Sequence, residues 1–353
     1  MRILVATDAW RPQVNGVVTA LEQMTEAAGD FGARFEFLTP EGFASLPLPT
    51  YADISVALAS QKEVARRIEA ARPDHIHIAT EGPLGWLTRA WCIRRGRAFT
   101  TSYHTRFPEY LFLRIGLPLA LSYAVLRHFH RPAATVMAPT ATIADDLRSR
   151  GFNRVRTWTR GVDHRRFRQR SYSTLDFARP IFLSVGRVAV EKNLEAMLGL
   201  DLPGSLVIVG DGPARAHLQR RFPRAHFLGE RRGDALAEVY ASADVFVFPS
   251  RTDTFGNVIV EALASGLPIA AFPVPGPLDI VGKSAAGALD EDLRAACLKA
   301  LSIPREAARA RSLEFSWRES ARQFLANIES ATSGGAGRRP GAPRMSQRHL
   351  LGG

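Results

Sequence analysis

The sequence predicts a parallel α/β chain: two doubly wound domains facing each other across a central cleft. Short apolar runs alternate with segments of helical periodicity, as βαβ units do. The alternation restarts near residue 181, and a polar, arginine-rich stretch at 163–179 separates the two series. In open α/β sheets ligands bind beyond the carboxyl ends of the strands, so the cleft is the expected site.

In the first half, strands are expected at 2–6, 34–38, 75–79, 98–102 and 135–138, with helices at 17–28, 61–71, 85–95, 117–129 and 140–150. In the second, strands are expected at 181–185, 205–209, 225–228, 245–248 and 268–272, with helices between them. A last helical pattern at 316–328 would pack back on the first domain, with Trp317 as its anchor or as an ordinary core residue. The expected boundaries are 1–170, 171–315, 316–330 for that helix, and 331–353 for a disordered basic tail.

With 353 residues, 46% of them hydrophobic, the chain can bury two cores of ordinary size. Cys92 and Cys297 lie far apart in apolar helical contexts and read as reduced packing residues of a cytoplasmic protein. The apolar start at 3–6 is only strand-length and is followed by Asp8, unlike a signal peptide. The longest apolar run, 117–126, is too short to span a bilayer, so a soluble or peripheral protein is expected.

The net charge of +12 gathers in three places: Arg338, Arg339, Arg344 and Arg348 in the tail; Arg160, Arg165, Arg166, Arg168 and Arg170; and the RHFHR run from Arg127 to Arg131. Nucleic acid would reward such charge through counterion release. No finger, RNP aromatic pair or helix-turn-helix signature accompanies it, so nucleic acid is not an expected partner. An anionic membrane surface fits better, because RHFHR borders the apolar stretch 110–126. The alternative is a generally arginine-rich composition, since lysine occurs only at 62, 192, 283 and 299.

The densest chemistry lies in 250–268, SRTDTFGNVIVEALASGLP. Asp253 stands eight positions before Glu261, around a helix start that follows an apolar strand. Acids flanking the positive end of a helix suit a polyol phosphate: carboxylates take sugar hydroxyls and backbone N–H groups take the anion. They could equally be an N-cap and a solvated first-turn glutamate. The first βα connection places Asn15 and Gly16 at a helix start, where glycine lets backbone approach a phosphate. Its counterpart in the second half, LSVGRVAVEKN, carries Arg187 and Lys192, a fork and a point charge for phosphate oxygens, or else a solvated arginine and a Glu–Lys pair.

Gly210-Asp211-Gly212-Pro213 makes a glycine turn into a helix without the G-x-G-x-x-G spacing of dinucleotide sites. Tyr103-His104-Thr105 ends a strand, where a histidine is well placed for a ligand or satisfied structurally. Asp8, Glu81 and Tyr103 are the candidates for the acceptor side. His75 and His77 have no nearby third ligand, so no metal is expected. Asp290-Glu291-Asp292 reads as surface charge starting a helix rather than ending a strand.

With G-R-x(3)-E-K-N, V-G-D-G-P and the spaced acid pair in order, the chain resembles retaining GT-B glycosyltransferases of family 4, whose fold is two Rossmann-like domains. It is most similar to the branch of GDP-mannose-dependent α-mannosyltransferases and sulfoquinovosyl or glycosyl diacylglycerol synthases. The agreement covers roughly residues 1–330 and includes P-x-x-N-G, H-I-A-T-E-G-P-L-G, S-Y-H-T-x-F-P-x-Y and R-G-V-D. The resemblance implies a GDP- or UDP-linked sugar as co-substrate, no cofactor and no metal. It implies that Arg187 and Lys192 neutralise the diphosphate, that Glu261 holds the ribose and that Asp253 contacts the transferred sugar. Amides at Asn257 and Val258, with Gly210 and Gly16, would complete the donor site, and His104 would lie near the reacting sugar. The family usually has glutamate where Asp253 stands.

The acceptor implied is a lipid or glycan, with peripheral attachment to the inner face of the plasma membrane. Two other classes are a nucleotide-sugar epimerase on the same fold, which would release only epimerised sugar, and a basic nucleic-acid binder, which would bind DNA but neither UDP nor GDP.

Overall fold

A computed structural model describes residues 1–11, 15–48 and 51–333. The first domain runs, in chain order, through strands β1 (Arg2–Ala6), β2 (Arg34–Leu38), the antiparallel hairpin β3 (Ser45–Leu48) and β4 (Tyr51–Ala57), β5 (His75–Ile78), β6 (Thr100–Ser102), β7 (Thr135–Ala138) and β8 (Val155–Thr157). Its helices are α1 (Gly16–Ala28), α2 (Gln61–Ala71), α3 (Pro83–Arg94), α4 (Phe107–Ile115), α5 (Leu119–His130) and α6 (Ala141–Ser149). The second domain holds β9 (Ile181–Val185), β10 (Ser205–Val209), β11 (His226–Phe227), β12 (Val245–Phe248), β13 (Ile269–Ala271) and β14 (Gly287–Leu289). Its helices are α7 (Leu194–Leu198), α8 (Arg215–Arg221), α9 (Gly233–Ser242), α10 (Asn257–Ala264), α11 (Pro277–Ile280), α12 (Leu293–Ala300) and α13 (Arg305–Ser312).

Both main sheets are parallel, in the orders β2-β1-β5-β6-β7-β8 and β11-β10-β9-β12-β13-β14. The second is the dinucleotide-fold order, reversing between β9 and β12; the first reverses between β1 and β5. The central strands are buried on both faces, which is why β9, β10 and β12 are almost wholly apolar. Alternate residues go to opposite layers: Leu4 and Ala6 pack with Ile76 and Phe129, while Ile3 and Val5 pack with Met24 and Phe324. In the second sheet Ile181 and Leu183 face one core and Phe182 the other.

The last helix, α14 (Trp317–Ser333), lies on the first domain against α1. Its anchor is Phe324, fully buried beside Trp158, with Ala321 and Ile328 flanking it; Trp317 is only partly buried. Where the chain crosses between domains, Gly161 lies so close to the start of α14 that a Cβ there would sit 2.2 Å from Trp317 N. Val162 N donates to Phe315 O beside it at 3.3 Å. The basic tail expected from 331 lies outside the described residues from 334 onward, as does Pro12 of the P-x-x-N-G loop.

Several elements depart from the sequence expectations. Helix α4, the hairpin and the three-residue edge strands β8 and β14 were not anticipated. Because β14 exists, Asp290 does follow a strand end, while Asp292 caps α12 by accepting from Arg294 N and Ala295 N. The mid-chain arginines do not form one patch: Arg165, Arg166 and Arg168 are exposed, whereas Arg160 is buried and Arg170 pairs with Glu238.

Candidate active site

The site is built where strand order reverses in the second sheet. Strand β9 runs into Gly186 and Arg187, β12 runs into Pro249 and Ser250, and both loops open onto one sheet edge. Beside them β10 ends at Gly210, where a Cβ would lie 1.9 Å from Gly186 O; φ is +136° at Gly210 and +143° at Gly186. Two glycines therefore let the β9 loop stay tight against the sheet and leave the edge open.

The β9 loop turns into a single 3-10 turn, Val190–Lys192, and Lys192 Nζ donates to Asp253 Oδ1 at 2.5 Å. The two side chains are 25% and 13% exposed. Asp253 is thus not a helix cap; the N-cap of α10 is Gly256, which has no side chain to offer. Its second oxygen, Oδ2, is buried with no protein partner. Glu191 turns the opposite way and accepts from Arg114 Nη2 of the first domain at 2.8 Å. Glu191 and Lys192 therefore serve different partners rather than each other.

Asn257 and Val258 form the first turn of α10, whose amides have no side-chain cap, so they present the positive end of the helix to the cleft. Asn257 Nδ2 donates to Gly16 O at 3.3 Å, placing the N-termini of α10 and α1 face to face. Helix α1 is capped by Asn15, which accepts from Val17 N and Val18 N. Glu261, in the second turn of α10, accepts from Tyr240 OH at 2.9 Å. Burial pushes its carboxyl up to about 7, against the opposing pull of Tyr240 and Arg166.

His104 reaches the same place from the end of β6. Its carbonyl accepts from Thr254 Oγ1 at 2.6 Å, tying the first domain to the loop that carries Asp253. The ring stands edge-on to Trp158, with centroids 5.7 Å apart. Nδ1 contacts Arg160 Nη2 at 3.1 Å, and Nε2 is buried with no protein partner. Burial first, then Arg160 and His77, hold the imidazole well below its ordinary pKa, so it is neutral. Arg160 is 4% exposed and bonds Trp158 O at 2.7 Å and Thr159 O at 3.2 Å. Burial lowers its pKa to about 9.

Of the three acceptor-side candidates, Asp8 and Glu81 are engaged by structural partners and Tyr103 is buried in the first core. Asp8 caps α3 from a distance: its carboxylate accepts from Leu84 N at 2.9 Å, Gly85 N at 3.3 Å and Thr80 Oγ1 at 2.9 Å, replacing a side chain that the N-cap Gly82 lacks. Burial raises that carboxyl above the ordinary range despite these bonds. Glu81 pairs with His130 Nε2 at 3.1 Å, and His130 Nδ1 meets Thr101 Oγ1 at 2.8 Å. Tyr103 is 1% exposed within the first core.

Comparison with known proteins agrees with this architecture. Residues 14–166 match the family described as Glycosyltransferase Family 4, and residues 179–302 match Glycosyl transferases group 1. A GDP-mannose-dependent alpha-mannosyltransferase of Mycobacterium tuberculosis is 32% identical over 82% of this chain and 83% of its own length. The chain belongs to glycosyltransferase family 4. A sulfoquinovosyl transferase of Arabidopsis thaliana is 33% identical to this glycosyltransferase over 77% of the chain and 55% of its own length. The structure of a sucrose-phosphate synthase from Thermosynechococcus elongatus superimposes with a TM-score of 0.77 at 19% identity, over 94% of this chain and 99% of that one. The fold is GT-B, and the enzyme is a hexosyltransferase.

One surface of this glycosyltransferase stands apart. Phe107, Leu111, Phe112, Leu113 and Ile115 of α4 and Leu121 and Val125 of α5 are exposed, Ile115 at 67%. The other side of α4 is engaged: Arg106 and Tyr123 both bond Glu109 Oε1 at 2.8 Å, and Arg114 reaches Glu191. Among the described residues no helix is long and apolar enough to cross a membrane. In the sequence Arg160 stands out only as one of a basic cluster and as the start of R-G-V-D, and Thr254 only as part of 250–268; nothing in it points to Tyr240 or Arg114.

Proposed function

We propose that this glycosyltransferase moves a hexose, with retention of configuration, from a GDP- or UDP-linked sugar to a lipid or glycan acceptor at a membrane surface. It does so without metal or cofactor. The observation that carries this reading is that the Lys192–Asp253 pair and the uncapped start of α10, on the second sheet's edge, meet the unpartnered Nε2 side of His104, which comes from the first domain.

As the glycosidic bond to the diphosphate breaks, negative charge grows on the leaving oxygens and positive charge on the sugar. Arg187, Lys192 and the amides of Asn257 and Val258 stabilise the leaving group more in the transition state than in the ground state. An ammonium has three protons, so Lys192 keeps Asp253 in place while donating to a phosphate oxygen. The second oxygen of Asp253 takes a hydroxyl of the transferred sugar, and Glu261, ionised, accepts from the ribose. Gly16 lets the start of α1 approach the donor closely, and Gly210 holds the β9 loop against the sheet so that the edge stays open for it. His104 donates from Nε2 to the reacting sugar and forms no covalent bond.

The acceptor arrives from the first domain. The exposed apolar face of α4 and α5 enters the interfacial layer of an anionic bilayer, with Arg127, His128 and Arg131 near the headgroups. In this reading the enzyme works peripherally at the inner face of the membrane. Retention of configuration and the choice of donor class rest on family membership and on the named relatives.

The test is a donor screen that follows GDP and UDP release across nucleotide sugars, with and without diacylglycerol in anionic vesicles. Acceptor-dependent release supports transfer to lipid. Release that ignores every acceptor, or a product that is only epimerised sugar, would overturn it.

A further inference from the structure

We infer that Arg160 is a positioning residue that locks His104 into its neutral Nε2–H tautomer, so the ring offers the donor sugar an N–H and never a base or a cation. This rests on the proposed placement of His104 at the reacting sugar.

The geometry leaves little freedom. A guanidinium has only donors, so the contact from Arg160 Nη2 to His104 Nδ1 at 3.1 Å requires a lone pair on Nδ1. The ring proton must then sit on Nε2, the nitrogen that is buried and has no protein partner. Arg160 is itself fixed, held by the carbonyls of Trp158 and Thr159 and stacked 4.0 Å over the Trp158 ring. Those partners are all neutral, so the positive charge of Arg160 is felt by the imidazole rather than spent on a carboxylate.

The charged and titratable groups that face the ring are Arg160 and His77. His77 is buried, and both of its nitrogens are taken, by Thr100 Oγ1 at 2.8 Å and Ser102 Oγ at 3.0 Å. A second proton on His104 would place two cations about a hydrogen bond apart in a buried site. This matters when the donor binds, because an arriving diphosphate would otherwise pull the imidazole toward protonation. An amide in place of Arg160 could flip and offer its oxygen; a guanidinium cannot. The arginine thus fixes both the tautomer and the charge state of its neighbour.

Nitrogen-15 NMR of the full chain labelled at histidine tests the lock directly. In the wild-type protein the His104 signals should show a protonated Nε2 and an unprotonated Nδ1, unchanged from pH 5.5 to 8.5. A His104 that titrates with a midpoint in that range, or carries its proton on Nδ1, overturns the inference whether or not any variant folds. In Arg160→Met the ring should mix tautomers and take up a proton. Turnover of GDP-mannose or UDP-glucose, whichever is a donor, should then gain an acid limb, falling about tenfold per pH unit below a midpoint that moves up from the wild-type position yet stays under the ordinary histidine value, because the ring is still buried. KM should change little, and Arg160→Lys should restore most of the flat profile. An Arg160→Met enzyme with wild-type His104 signals and a wild-type pH profile would refute the role. If His104→Ala turned over normally while the wild-type tautomer stayed locked, the placement of His104 at the sugar would fall instead.

Discussion

Lys192 and Asp253 form the contact on which both stability and turnover are proposed to depend, and the two contributions can be separated. At 2.5 Å the direct attraction at an effective dielectric near 20 is about 7 kcal/mol, most of it offset by desolvation. With side chains 25% and 13% exposed the pair lies between a surface bridge and a buried one, which places its net coupling at about 1–3 kcal/mol. Lys192→Ala removes the partner of Oδ1 while Oδ2 already has none, leaving a partly buried carboxylate unpaired. Its stability should fall by about that amount in urea denaturation. Turnover at saturating donor should fall by about 10²–10³-fold, the usual cost of losing one preorganised group at a developing anion. Adding Asp253→Asn should recover much of the lost stability, because the stranded charge is gone, yet none of the turnover. Near-normal nucleotide release by Lys192→Ala would refute the assignment of Lys192 to the diphosphate. A double variant no more stable than the single one would refute the stranded-charge account.

Four further outcomes are expected. Glu261 must be ionised to accept ribose hydroxyls, and its pKa is raised to about 7, so the affinity for GDP or UDP should weaken by about tenfold per unit as pH falls below 7; Glu261→Gln should remove that dependence in calorimetric titrations. The same shift has the opposite sign for folding: the native state holds this proton more tightly than the unfolded chain, so the contribution of Glu261 to stability is lost as pH rises from about 4.5 to 7, and Glu261→Gln should flatten the pH dependence of the urea midpoint in that window. Phe324→Ala, which empties the pocket between α14 and the first sheet, should cost about 3–5 kcal/mol in denaturant melts, and a cost below 1 kcal/mol would show that α14 is not anchored there. Exchanging Phe112, Leu113 and Ile115 for serine should abolish sedimentation with anionic vesicles while leaving the circular dichroism melt intact; unchanged vesicle binding would remove α4 from the membrane surface.

What could be read from the chain was what depends on neighbours in sequence. Strand-end loops are local, so Gly186, Arg187, Lys192, Asp253 and the start of α10 could be placed on one sheet edge before any coordinates. The partner of each was not legible, because the contacts join distant positions: Lys192 with Asp253, Asn257 with Gly16, Thr254 with His104. Asp8 shows the limit most plainly. An acid after a first strand is equally suited to a ligand or to a helix end, and only the packing of α3, some 75 residues on, decides for the cap. Arg160 looked like its exposed neighbours in an arginine-rich run, and its burial comes from Trp158 and His104. Helix α4 was missed because the run through Gly116 and Pro118 merges two short helices into one apolar stretch, while β8 and β14 are three residues long, too short for a two-residue period to register.

The close approach of Gly161 to Trp317 has a mechanical consequence. The polypeptide passes between the domains twice, once on the way out and once when α14 returns, and the two passages touch backbone to backbone. Two separate straps would resist every relative displacement of the domains. Two straps laid side by side at one point resist translation and leave rotation about that point as the soft direction. A side chain at 161 would force the two passages apart at the point where they cross.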